Sequence, residues 1–137
     1  MRALTVATAV LVTVGVAVLG EGPPATQGGP YTAEQAARGE VLYKKQCVSC
    51  HGELSAFVPE MSTLLADHTF RSRWAKRSLG ELFELIQLEM PQEAPGTLSR
   101  RQTADLVAYI LSGNKVPAGE LELGDDLEQL SQILFEP

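Results

Sequence analysis

Basic residues are in short supply in this chain. Eleven Lys and Arg face seventeen Asp and Glu, a formal net charge of −6 over 137 residues, and no base lies beyond Lys115. A nucleic-acid partner is thereby disfavoured, because gripping a phosphate backbone rests on clustered Lys and Arg. Cysteine is scarcer still. Cys47 and Cys50 are the whole supply, so no pair is left elsewhere for a stabilising disulfide. Beside His51 the only other histidine is His68, which supports a four-ligand zinc site poorly. Long apolar runs are also missing, with one exception. Arg2 is followed by 17 residues, Ala3 to Leu19, that are apolar, small or threonine, and then by Gly20-Glu21-Gly22-Pro23-Pro24. A positive end, a short apolar stretch and small residues form a secretory signal, with cleavage expected after Gly20 and the mature chain expected in the periplasm. An uncleaved anchor is the competing reading, at the short end of what spans a bilayer.

What is present carries more chemistry. Cys47-Val48-Ser49-Cys50-His51 has the spacing of a covalent c-type haem attachment site. Two thiols separated by two residues on a tight helical turn can add to two vinyl groups on one porphyrin edge. The next residue, His51, then lies under the iron and supplies the proximal imidazole nitrogen. Three other uses of a Cys-x-x-Cys pair compete. Zinc lacks partners, a thioredoxin-like pair normally follows a strand whereas Thr32 to Lys45 reads as helix, and a structural disulfide leaves His51 unexplained. One covalent haem c is the expected cofactor.

The remainder organises around that motif. Residues 1–20 read as the signal, and 21–30 as a Gly- and Pro-rich flexible leader. Residues 31–119 read as an all-α domain, and 120–137 as an acidic tail. The domain has fewer than 90 residues, too few for a comfortable core unless a bound group fills it. Thr32 with Gln35, Ser78 with Glu81 and Ser99 with Gln102 each fit a capping box that opens a helix. The first helix carries Gly39 and Tyr43 one turn apart. Because glycine costs a helix about 1 kcal/mol relative to alanine, Gly39 marks a close approach of another backbone, expected to be the last helix, Arg100 to Leu111, with Leu106 and Tyr109 on one face. Tyr43 and Tyr109 are expected to pack in the core. The middle helix, Leu79 to Glu89, places Leu79, Leu82, Phe83 and Ile86 at the spacing of a buried face. It ends at Met90-Pro91, where the proline pushes Met90 into extended chain.

Met90 is the expected second axial ligand. It follows His51 by 39 residues, enough chain to reach the opposite haem face, and a neutral thioether there raises the potential. Met61 reads as core filler. His68 would give a bis-histidine site, but its surroundings read as exposed loop.

With Gly39, Tyr43, Cys47-Val48-Ser49-Cys50-His51-Gly52, Met90-Pro91, Leu106 and Tyr109 in this order, residues 31–119 resemble a class I monohaem cytochrome c. The strings Met90-Pro91-Gln92-Glu93-Ala94-Pro95-Gly96-Thr97-Leu98-Ser99, Ala108-Tyr109-Ile110-Leu111 and Pro117-Ala118-Gly119 look most like small cytochromes associated with periplasmic quinoprotein dehydrogenases. The resemblance implies an electron carrier, or an electron-transfer subunit of a dehydrogenase or oxidase, whose redox partners include a quinoprotein dehydrogenase and a terminal oxidase. It also implies that the Pro59 carbonyl fixes the His51 imidazole, although Pro59-Glu60-Met61 replaces the usual Pro-x-Leu. Trp74 could pack beside the haem or bond a propionate, with core packing as the alternative. A haem enzyme or gas sensor with an open distal site is the competing functional class.

Charge is uneven along the sequence. Lys44 and Lys45 flank the haem motif, and Arg71, Arg73, Lys76 and Arg77 surround Trp74. These could steer an acidic partner or hold propionates, or form a solvated helix surface. The tail, Glu120 to Pro137, holds six acids and no base. Behind Asp125 and Asp126, its Leu127, Leu130, Ile133 and Leu134 fit a short amphipathic helix docked on the domain or on a partner.

Overall fold

A computed structural model describes residues 28–54 and 64–137. The expected signal (1–20), most of the leader, Pro59 and Met61 lie outside the described residues. Among the described residues six helices follow in order: α1 (Ala33–Gln46), α2 (Val48–His51), α3 (His68–Trp74), α4 (Leu79–Glu89), α5 (Arg100–Gly113) and α6 (Leu127–Leu130). The described residues contain no strand, only a bridge between Ser78 and Leu134, so the all-α expectation holds. None of their helices is long and apolar enough to cross a membrane.

The crossing of α1 over α5 is the most extensive helix contact, and Gly39 makes it possible. A methyl group there would collide with the Asp105 carbonyl oxygen and lie 2.9 Å from Tyr109 Cβ. Absence of a side chain thus lets the helices approach backbone to backbone. One turn on, Tyr43 and Tyr109 meet edge to face with ring centroids 5.3 Å apart. That geometry adds about 1 kcal/mol beyond burial alone. At the polar end of the crossing Arg38 grips Asp105 through two bonds, Nε to Oδ2 at 3.1 Å and Nη2 to Oδ1 at 2.9 Å, and also reaches Glu122 at 2.8 Å.

Helix starts follow the sequence with one departure. Ser78 and Ser99 form complete capping boxes with Glu81 and Gln102. Thr32 caps α1 by accepting from Gln35 N, but the Gln35 side chain does not return the bond. Instead its amide donates to Leu123 O at 2.9 Å and accepts from Leu123 N at 2.7 Å. A buried glutamine thereby satisfies both backbone groups of a residue in the tail.

The tail is part of this core, docked on the domain rather than waiting for a partner. Asp126 caps α6, and Leu123, Leu130 and Phe135 are buried in one apolar cluster with Phe70, Trp74 and Leu79. Residues 133–135 return along 76–79 through three backbone bonds: Lys76 N to Phe135 O, Phe135 N to Arg77 O and Leu79 N to Ile133 O. The amphipathic stretch is shorter as helix than its periodicity suggests, and Leu134 is left exposed. At the other terminus Gly28 and Gly29 pack against Pro117, Ala118 and Gly119. Gly28 and Gly29 of the segment read as flexible leader are therefore packed against the domain.

Candidate haem site

Helix α1 runs almost directly into α2, with Cys47 at the junction. The His51 and Gly52 amides bond back to Cys47 O and Val48 O at 2.9 Å each, so the two cysteines and His51 occupy one tight turn. Gly52 closes that turn at φ 65°, ψ −179°, a conformation open essentially to glycine alone. The buried Tyr43 hydroxyl donates to Gly52 O at 2.8 Å. This ties the haem-motif turn to the α1–α5 crossing.

The turn forms one wall of an open cleft. Cys47, Cys50, His51, Tyr43 and Gln46 line it on this side, and Leu106 and Ile110 of α5, with Ile86 of α4, form its apolar floor. Met90, Pro91, Gln92, Glu93 and Leu98 line it from the segment after α4. The sequence placed Met90 in extended chain after the helix, and Met90 caps α4 at φ −118°, ψ 150°. The Met90–Pro91 peptide is cis.

This donor set fits a covalently held haem. Cys47 is half-buried and Cys50 exposed, as expected of an attachment edge at the mouth of a cleft. An imidazole and a thioether line the same cavity, and the remaining walls are largely aliphatic. No group of three or more His, Cys, Asp or Glu side chains placed to hold a metal ion occurs among the described residues.

Other expected site residues lie elsewhere. Trp74 is not among the residues lining the cleft. It is buried against Phe70, whose ring centroid is 6.0 Å away, with the Arg77 guanidinium 4.1 Å over its own ring. Trp74 thus packs in the core, the alternative weighed for it in the sequence, and α3 turns its apolar face toward Phe135 and the tail. His68 is exposed as the first residue of α3 and does not line the cleft. The basic residues around Trp74 are partly committed: Arg71 donates to Ala66 O at 2.7 Å and Arg77 pairs with Glu81. Lys44 pairs with Glu40 at 2.7 Å, and Lys45 stays exposed.

Sequence reasoning missed three contributors. Leu65 and Leu98 line the cleft from segments without helical period. Gln87 donates to Leu98 O at 2.6 Å. No local pattern announces these, since their partners are distant in sequence.

A family model described as cytochrome c oxidase, cbb3-type, subunit III matches residues 34–110, more than half of the chain. No match is found among the curated proteins. A solved structure, the sulfane dehydrogenase SoxCD from Paracoccus pantotrophus, contains a similar chain, with a TM-score of 0.49 and 21% identity over 73% of this chain. The present chain spans about half of that one, 52%. The match begins in the first turn of α1 and ends within α5, enclosing both walls of the cleft. The chain belongs to the cbb3-type cytochrome c oxidase subunit III family and is a class I c-type cytochrome whose cofactor is covalently bound haem c.

Proposed function

We propose that the protein is an exported electron carrier, or the electron-transfer subunit of a larger complex, with His51 and Met90 as the axial ligands of its haem. The observation that carries this reading is the shared cleft. Cys47, Cys50 and His51 stand on one wall and Met90 enters from a different segment. The haem iron supplies a one-electron exchange between ferric and ferrous states. The chain's own residues do the rest. Cys47 and Cys50 would hold the haem through their sulfurs, His51 and Met90 would ligate its iron, and Leu65, Ile86, Leu98, Leu106 and Ile110 would keep water from it. Exposed Ser49 and Cys50 place the attachment edge where a partner can approach. A terminal oxidase is the favoured acceptor, in line with the description of the family, and a quinoprotein dehydrogenase remains the proposed donor. The periplasm is the proposed location, on the strength of Arg2 and the apolar run after it.

Carbon monoxide decides the ligand question. The reduced parent should resist it, whereas Met90→Ala should bind it readily and show a lowered potential. Ready binding by the parent would instead support a haem enzyme or gas sensor with an open distal site. An effect confined to a His68 substitution would overturn the choice of Met90. Fractionation with N-terminal sequencing of the mature chain tests export, and cytoplasmic recovery with Met1 intact would refute it.

A further inference from the structure

The segment from Met90 to Leu98 joins α4 to α5 and supplies five of the residues lining the haem cleft: Met90, Pro91, Gln92, Glu93 and Leu98. Between its ends, residues 91–97 are half-buried or exposed, and no helix runs through it. Such a segment needs external fastening if it is to hold one side chain at a fixed place.

Both of its ends are fastened to the last turn of α4. The Met90 amide donates to Ile86 O at 3.1 Å. At the far end the Gln87 side-chain amide donates to Leu98 O at 2.6 Å. Gln87 is itself held, because the hydroxyl of Thr103, fully buried in α5, donates to Gln87 Oε1 at 3.0 Å, with Ser99 O as a second acceptor at 3.2 Å. One glutamine amide therefore uses its acceptor on α5 and its donor on the loop, and each fixes the other. The turn bond from Ala94 N to Pro91 O at 2.8 Å and the Thr97 hydroxyl on Ala94 O complete a closed clip.

We infer that Gln87 and Thr103 are positioning residues that lock the Met90 loop shut and so hold the Met90 sulfur against the haem iron. This deepens the proposed function and rests on Met90 being the axial ligand. Neither side chain lines the cleft. Their effect is indirect: with the clamp open, the Leu98 end of the loop can swing out, and Met90 spends part of its time away from the cleft.

The test uses holoprotein of full haem content carrying Gln87→Ala, Thr103→Val, Thr103→Ser or Met90→Ala. Gln35→Ala serves as the control, because it removes a comparable buried pair, with Leu123, outside the cleft. Cyanide binding to the ferric form, the thioether-to-iron charge-transfer band and the potential are read together. Gln87→Ala and Thr103→Val should each bind cyanide roughly tenfold more tightly than the parent, the weight of one or two hydrogen bonds. Each should also weaken the band and lower the potential. Thr103→Ser keeps the hydroxyl and should stay near the parent, as should Gln35→Ala. If Met90→Ala changes cyanide affinity and the band while the two clamp variants match Gln35→Ala, the clamp is refuted and the ligand stands. Should Met90→Ala leave both unchanged, the ligand reading itself fails, and the clamp falls with it.

Discussion

Tyr43 does three jobs with one side chain. Its ring packs on Tyr109, its edge lines the cleft, and its hydroxyl holds Gly52 O. Burial raises its ionisation well above the ordinary tyrosine value, chiefly through desolvation. The folded state thus favours the protonated phenol, and the sign of the linkage follows. Stability from this group is fully present below about pH 10, where an unfolded tyrosine begins to ionise, and is lost as pH rises beyond it. Tyr43→Phe should cost about 1 kcal/mol at neutral pH through the lost bond to Gly52, while making the alkaline decline shallower. Denaturant titrations of parent and variant from neutral to strongly alkaline pH check both parts, and parallel declines would contradict the assignment. Some decline should persist, because burial also raises Tyr31 and Tyr109. At this scale the attachment motif was legible, since covalent haem chemistry demands its spacing within five residues. The Tyr43 bond to Gly52 was not, because the motif's sequence shows that a glycine follows His51 but not what its carbonyl meets.

Elements were legible wherever their signals are local. Helix α4 begins after Ser78 and stops before Pro91 because a capping box and a proline act within a turn of themselves. The close approach at Gly39 was also readable, since a mid-helix glycine needs a reason and the crossing supplies it. Helix α5 outruns its expected end at Leu111 by two residues. The cause is Asn114, whose buried amide donates to Ile110 O and to Leu65 O at 2.8 Å each, the second partner lying 49 residues away. Gln35 fails as a capping-box member for a similar reason, as Leu123 offers its amide a buried donor and acceptor together. Two substitutions separate these classes. Ser78→Ala should lower stability by about 1 kcal/mol through the lost cap. Gly39→Ala should cost about 1–3 kcal/mol or more, because the added methyl must push α5 away. Denaturant midpoints measure both, and a Gly39→Ala midpoint equal to that of the parent would mean that the helices separate freely.

At the scale of the molecule, charge and packing divide the surface. An acidic protein should exchange electrons with a basic partner at a rate that falls as salt rises, since screening confines surface charges to about 8–10 Å. Stopped-flow rates against ionic strength check this, and a flat profile would favour a preassembled complex. The tail serves a different end. Its apolar spacing suggested a stretch docked on the domain or on a partner, and Phe135, outside that spacing, is 1% exposed and meets Phe70 edge to face at 5.8 Å. Its backbone is bonded on both sides to residues 76 and 77. No residue beyond Ile110 lines the haem cleft, so the strap holds the core together from outside the redox site. Phe135→Ala should therefore remove about 3 kcal/mol or more and lower the melting temperature by roughly 10–20 °C. The potential and the resistance to carbon monoxide should be those of the parent. Calorimetry and a redox titration on the same sample decide the matter. A potential that moves with Phe135 would mean that the tail's packing is transmitted through Leu79 and α4 to Met90, and that strap and cleft form one cooperative unit.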